Sequence, residues 1–322
     1  MNLFRSKNRF IYYIIPTVIL IVAVIYLKEN LPRFREIRVT SKWALGGLIL
    51  CSLLESIPGG GLFKKLLNLF KVRLNLMEAV GLVYITAMGN YIIPYLGGMG
   101  LRATYLKRRY NFPLSYFAST VAGTALLSFL INAFLGLVVM IYLSLWEGLQ
   151  SGPLTFLFLV FFISSFLLII VPFKGVKSKR WFFQKLNQVL EGWKIISKDK
   201  KELVGLSSII FLSAVLRLFS VYFAFRILTE NITFLNSAVI SSMSSMSGLI
   251  SFTPAGLGIN ELVIVFTSRT LGYLVVLSVS VVLIQRVVTT VIVFIGGTIS
   301  SYALSKAAIS SDDGNQKTQS PD

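Results

Sequence analysis

Thr253-Pro254-Ala255-Gly256-Leu257-Gly258-Ile259-Asn260-Glu261 interrupts an apolar stretch that runs from Leu235 to Thr267. Pro94-Tyr95-Leu96-Gly97-Gly98-Met99-Gly100-Leu101-Arg102 interrupts another, from Met77 to Leu106. Laid together, Gly98-Met99-Gly100-Leu101 matches Gly256-Leu257-Gly258-Ile259 at an offset of 158 residues, nearly half the chain. Proline removes a backbone donor and glycine permits tight reversals, so each stretch is expected as half-helix, irregular turn, half-helix. Irregular backbone at membrane depth persists only where protein or a water-filled cavity satisfies it. Two breaks in corresponding places point to a transporter's binding site. Gly/Pro breaks also serve as plain kinks or close-packing points between membrane helices. The neighbouring runs Leu114–Trp146 and Leu271–Leu304 share the same approximate offset, which favours the repeat.

Composition decides the solvent. The chain has 322 residues, of which 55% are hydrophobic and 14% charged, with a mean hydropathy of +0.77. Soluble domains run at about 45–50% apolar and about 25% charged, so this is an integral membrane protein. Lys and Arg number 31 against 13 Asp and Glu, a net charge of +18 that should face an anionic membrane surface. Nucleic acid is not expected as a partner, because the basic residues flank apolar runs and form no basic soluble domain. There is no His and a single Cys, Cys51, which removes disulfides, Cys/His zinc sites and imidazole catalysis. The four Asp residues, Asp199, Asp312, Asp313 and Asp322, all lie in polar segments. No metal or other cofactor and no enzymatic activity of its own are therefore expected. General acid–base chemistry would have to rest on Glu55, Glu78 or Glu261 without a tuned partner.

The run Phe10–Leu27 has 18 residues without a charge, close to the roughly 20 that cross a hydrocarbon core, and reads as a retained signal anchor. Trp43–Ile57, Leu114–Trp146, Leu154–Phe173, Leu203–Leu228 and Leu271–Leu304 are the further spans. Lys174–Glu202 carries nine Lys/Arg and three acidic residues, with Trp181, Phe182, Leu186, Val189, Leu190 and Trp193 at helical spacing. It reads as an interfacial amphipathic helix or a solvated loop helix with apolar packing, and Leu62–Leu76 reads similarly. The Lys/Arg bias puts both termini and Lys107-Arg108-Arg109 in the cytoplasm. Lys28–Lys42, with five basic and two acidic residues, runs against that scheme.

The fold expected is an all-α polytopic membrane protein: about six full transmembrane helices plus two re-entrant broken helices in two inverted-topology halves. The halves are about 10–146 and 153–304, inside one transmembrane domain 1–305 followed by a disordered polar tail 306–322. Three crossings and one hairpin per half make an odd number, so the second half runs opposite to the first and the hairpin tips meet near the midplane.

Ionisable groups within spans cost about 2.5–3.5 kcal/mol each on insertion scales, so each is a functional candidate. They are Glu55, Glu78, Arg102, Arg217, Glu261 and Arg286. Arg102 and Glu261 follow the breaks, at the starts of the second half-helices, where free backbone N–H groups favour anions. The substrate-binding set is Arg102, Arg217, Glu261 and Arg286, with the break residues Pro94, Gly98, Gly100, Pro254, Gly256, Gly258 and Asn260. A phosphate would sit on the amides and the arginines, with Glu261 pairing an arginine in the empty site or taking a cationic headgroup. Structural pairing of Glu261 with Arg217 or Arg286, and snorkelling of Arg102, are the plainer alternatives. The Ser- and Met-rich Ser241–Ser251 reads as a polar path or a small-residue helix contact.

At these residues the chain resembles the lysylphosphatidylglycerol synthase transmembrane-region family, whose members are called flippase-like. Pro254 to Glu261 is similar to that family's Pro-Gly-Gly-Leu-Gly-x-x-Glu motif. Gly89-Asn90 with Pro94, Gly98 and Arg102, followed by Tyr105-Leu106 and Lys107 to Arg109, is similar to its other signature. Leu96, Met99 and Ala255 depart from the pattern, which has Arg, an acidic residue and Gly at those places. The resemblance covers roughly Phe10 to Ser305, without the soluble synthase or glycosyltransferase domain that some members carry. It implies translocation of an anionic, aminoacylated or polyprenyl-linked phospholipid between leaflets of a prokaryotic plasma membrane. The alternative is a non-catalytic accessory subunit of a separate glycosyltransferase or lipid-modifying synthase. A homodimer completes the expected partners.

Overall fold

The computed structural model describes residues 39–92, 97–149, 152–170, 181–250 and 253–317. The expected anchor Phe10–Leu27 and the break residue Pro94 lie outside them. The described residues are mostly helical, with no strand among them, as a bilayer requires, because a helix satisfies its own backbone where no water can.

Helix α1 (Lys42–Leu54) and α2 (Ser56–Leu69) form one apolar run of 28 residues with a turn at Glu55. Then come α3 (Leu76–Ile92), α4 (Gly97–Tyr110), α5 (Leu114–Trp146), α6 (Gly152–Ile170), α7 (Trp181–Ser197) and α8 (Lys200–Arg226). The chain continues with α9 (Phe234–Ile250), a 3-10 turn (Pro254–Gly256), α10 (Ile259–Thr270) and α11 (Val275–Lys317). Lys42–Leu69, Leu114–Trp146, Gly152–Ile170, Lys200–Arg226 and Val275–Leu304 are long and apolar enough to cross a membrane. The protein is thus an all-α polytopic membrane protein. By contrast α3 and α9, at 17 residues, are about 25 Å long at 1.5 Å per residue, short of a hydrocarbon core of about 30 Å.

The described chain divides into two compact units. The first comprises residues up to Ser52, Ala125–Pro172 and Ala214–Val288; the second comprises Leu53–Thr124, Phe173–Ser213 and residues from Thr289 on. In the first, Ala44, Leu48, Val221, Phe225, Ile240, Ile264, Val281 and Val282 pack as one core. A second cluster there joins Ala133, Met140, Leu154, Phe158, Val239 and Met243. Gly136 admits the Phe158 ring, which lies 2.2 Å from where a Cβ would stand. In the second unit Phe63, Leu67, Leu74, Ala79, Leu82, Leu106, Phe112 and Phe117 form the core. There Gly296 and Gly297 of α11 seat Tyr84 and Met88 of α3. Polarity is inverted relative to a soluble protein. Ser237, Ser241, Ser242, Ser244 and Ser268 are buried while Phe156, Phe166, Leu167, Val287 and Ile295 are exposed, the pattern of a bundle whose outside faces lipid.

Two expectations change. Leu62–Leu76 is not a separate interfacial helix: its first eight residues belong to α2, whose Phe63, Leu66 and Leu67 are buried in the core. Their 3.6-residue spacing serves protein packing, and periodicity alone does not say which apolar medium a face meets. Helix α11 continues to Lys317, into the tail expected to be disordered, since extending an existing helix needs no new nucleus. Packing also claims α7. Ser119 donates to the Val189 carbonyl at 3.0 Å, and a Cβ on Gly123 would stand 3.0 Å from the Trp193 ring.

Helix bounds recur at the spacing of the glycine motif. Leu76–Ile92 shifted by 158 becomes 234–250, the bounds of α9. Lys42–Leu69 shifted likewise becomes 200–227, against Lys200–Arg226 for α8.

Candidate functional site

Each motif lies on a pair of short helices packed against each other, α3 with α4 and α9 with α10. In the first pair the helices meet at glycine. A Cβ on Gly98 would stand 1.8 Å from the Thr86 carbonyl oxygen, and one on Gly89 would stand 2.8 Å from the Gly98 Cα. That approach lets the Gly98 N–H donate to Asn90 Oδ1 at 3.0 Å, so the amide at the start of α4 is satisfied by the end of α3. One turn further on, Arg102 Nε donates to Thr86 Oγ1 at 2.8 Å, and its guanidinium lies over the Phe63 ring, 4.4 Å from the centroid. Among the described residues no carboxylate pairs with Arg102. Thr86 in turn donates to the Leu82 carbonyl at 2.5 Å.

Toward the other end of α4, Glu78 accepts from the Tyr105 hydroxyl at 2.5 Å and from the Tyr110 hydroxyl at 2.9 Å. Arg109 Nε stands 3.6 Å from the same carboxylate. Burial first, and next the Glu78 carboxylate it bonds to, push the Tyr110 phenol above its ordinary value.

In the second pair the backbone turns through left-handed conformations. Ala255 (φ 48°), Gly256 (φ 70°) and Gly258 (φ 84°) all have positive φ. The Glu261 carboxylate reaches back to accept the Gly258 N–H at 2.7 Å, as an acidic residue at the third position of a helix does for its start. Its other oxygen lies 3.5 Å from Arg286 Nη1, and both Nη atoms of Arg286 donate to the Ala255 carbonyl at 3.1 Å. Asn260 Oδ1 accepts from Ser244 at 2.8 Å and Ser247 at 2.9 Å.

These two hairpins carry the signature stretches of one family. A model of the family described as Lysylphosphatidylglycerol synthase TM region matches residues 10–297. The chain belongs to that family. No curated protein matches it.

In this family member Arg102, Gly98 and Gly100 belong to the second unit, and the other described site residues to the first. Glu261, Arg286, Asn260, Gly256 and Gly258 are brought together at the second break. Arg102 and Gly98 lie at the first hairpin, with Gly100 inside α4 two residues before Arg102. Arg217 lies within α8, partly buried. Pro254 starts the 3-10 turn. The glycines of the two motifs do different work: Gly98 and Gly100 are helical, and Gly98 permits close approach while a Cβ on Gly100 would meet open space, whereas Gly256 and Gly258 supply positive φ. Among the described residues no cluster of His, Cys, Asp or Glu could hold a metal. Thr86 and Tyr110 were not singled out from sequence, whereas Ser244 and Ser247 stood only within the Ser241–Ser251 run and Tyr105 only within the family-like signature. The signal for Thr86 and Ser244 was arithmetic, since they stand 16 residues before Arg102 and Asn260.

Proposed function

We propose that this protein moves an anionic, aminoacylated or polyprenyl-linked phospholipid between the leaflets of a prokaryotic plasma membrane, with both termini cytoplasmic. Alternating exposure of a midplane site by two inverted halves is the mechanism. One observation carries the reading: a guanidinium in the first turns of α4, held by Thr86 and Phe63 and unmatched by any described carboxylate. Burying a charge without a partner is costly, and a lipid phosphate at Arg102 and the nearby helix start would offset that cost. Helix bounds that recur at 158 residues support the repeat. The Glu261–Arg286 pair is self-neutralised, so in this reading the second hairpin holds the break in shape while the first holds the phosphate.

Leaflet-resolved labelling of a fluorescent phosphatidylglycerol in reconstituted vesicles tests this. A charge-assisted bond is worth about 1.5–3 kcal/mol, so Arg102→Gln should slow transbilayer exchange about tenfold to a hundredfold. Equal exchange by wild type, Arg102→Ala and Glu261→Ala would sink the proposal. A stable glycosyltransferase or synthase on purification, with no exchange, would transfer support to an accessory role.

A further inference from the structure

Two turns of α4 beyond Arg102, Glu78, Arg109, Tyr105 and Tyr110 form a second cluster that the transport reading leaves without a task. Glu78 belongs to the first turn of α3 and its side chain is only 11% exposed, whereas Arg109 is 33% exposed. Both phenols already donate to the carboxylate, Tyr105 at 2.5 Å and Tyr110 at 2.9 Å. Glu78 is therefore fixed and hydrogen-bonded without help from arginine. The Arg109 contact is a different kind of bond, a single approach at 3.6 Å where a close charged pair would sit at about 2.7–2.9 Å. The guanidinium lies 5.9 Å from the centroids of both tyrosine rings, so two π faces and a carboxylate surround a cation that keeps no close bond to the carboxylate and is a third exposed.

Acid, base and two aromatic hydroxyls in one cluster match a headgroup that carries a phosphate and an ammonium a few ångströms apart. We propose that Glu78, Tyr105, Tyr110 and Arg109 form a receptor for such a zwitterionic lipid headgroup. The ammonium takes the place of Arg109 between the rings and the carboxylate, and the displaced guanidinium turns to the phosphate. In the empty receptor the two protein charges neutralise each other. The proposal rests on the transport reading, because Arg102 lies seven residues away on α4, about 10 Å along the helix. Glu78, Thr86 and Asn90 on α3 make the polar contacts to α4, and this ladder runs from the receptor past Arg102 to the hairpin's tip. The second half has no counterpart: 158 residues on from Glu78 stands Asn236, which donates to the Tyr273 hydroxyl at 2.9 Å.

The test uses the full chain in non-ionic detergent. Binding of glycerophosphoethanolamine is compared with that of glycerophosphoglycerol, and then repeated with the diacyl forms of each. Wild type should prefer the ethanolamine form about tenfold, and the diacyl form should bind more tightly than the soluble headgroup. Glu78→Gln should remove the preference while keeping the phosphoglycerol affinity. Arg109→Gln removes a part-exposed side chain and leaves Glu78 its two phenol donors. It should weaken both phosphate probes and raise affinity for ethanolamine itself, which bears the cation alone. Unchanged preference in Glu78→Gln, or no gain for ethanolamine in Arg109→Gln, would leave only a clamp between helices and overturn the receptor. Equal affinity of diacyl and soluble forms would overturn its assignment to lipid. Loss of transport in Arg102→Gln with headgroup preference intact would separate the two proposals.

Discussion

The two hairpins solve one problem with opposite charge arrangements. In each, a side chain early in the second helix bonds to a hydroxyl 16 residues earlier in the first: Arg102 to Thr86, and Asn260 to Ser244. The pairs are related by the same 158-residue shift. In the first hairpin the tie is made by a cation, and no described carboxylate answers it. In the second the tie is a neutral amide that takes two serine hydroxyls, and the charge stands one residue on, at Glu261, where Arg286 cancels it. A shared scaffold thus carries an uncompensated charge in one copy and a compensated one in the other. The compensated copy is expected to matter for stability and the uncompensated one for ligand.

The largest effect should come from the glycines, which occupy matching positions for different reasons. Gly98→Ala would put a Cβ 1.8 Å from the Thr86 carbonyl oxygen. Backbone cannot yield as a flexible side chain can, so the α3–α4 contact must open, at upwards of about 3 kcal/mol. Gly256→Ala meets the cost of positive φ (70° at Gly256), about 1–2 kcal/mol. Chemical denaturation of both variants in detergent, followed by tryptophan fluorescence, checks the ranking. Equal losses would mean that the hairpins are held alike.

The arginines should divide next, stability from transport. Arg286→Leu strips Glu261 of its ion pair and the Ala255 carbonyl of two donors. With both charged groups about a fifth exposed, the loss should be about 1–2 kcal/mol. Arg102→Leu removes an unmatched charge and leaves Thr86 its bond to Leu82, so stability should hold or rise while exchange collapses. A thermal shift assay beside the exchange assay reads both. A fall in stability for Arg102→Leu as large as that for Arg286→Leu would show that Arg102 is structural.

Sequence carried the bilayer-scale features and missed the contacts between hairpin arms, for a physical reason. Leu114–Trp146 is recovered at its own bounds and the other described spans to within four residues, except that the first run extends to Leu69. Length and hydropathy set those spans, and both are local. The break at Gly256–Gly258 was equally legible, because only glycine takes positive φ at no cost. The reading of Gly98 and Gly100 as part of an irregular turn failed. Glycine serves close packing as readily as reversal, and only the facing Thr86 carbonyl distinguishes the two. Glu78 stood out as a charge in an apolar run, but Tyr105 and Tyr110 lie 27 and 32 residues on, and nothing in their local pattern points back to it.

Smaller effects should follow from the neutral tie. Asn260 Oδ1 has two donors, so Ser244→Ala or Ser247→Ala alone leaves one bond, at about 0.5–1 kcal/mol each. The double variant leaves a partly buried acceptor unsatisfied and should exceed the sum. In the first hairpin Thr86 Oγ1 is the acceptor of the Arg102 Nε–H, so Thr86→Ala leaves that donor without its bond and should cost more than either serine alone. Denaturation midpoints for the four variants sharpen the comparison, and strict additivity of the serines would break it.

The smallest expected change is a gain. Ala255 has φ 48° and ψ 28°, a left-handed conformation that costs a non-glycine residue about 1–2 kcal/mol. The signature that this chain resembles has glycine there. Ala255→Gly relieves the strain but frees the unfolded chain by about 0.5–1 kcal/mol, so the net gain should be under about 1 kcal/mol. The Ala255 carbonyl, which Arg286 holds, belongs to the backbone and survives the substitution. If the strain only burdens the fold, Ala255→Gly raises the melting temperature and leaves exchange unchanged. If exchange falls as stability rises, the strained turn is part of the working cycle, and the second hairpin is more than a compensated support for the first.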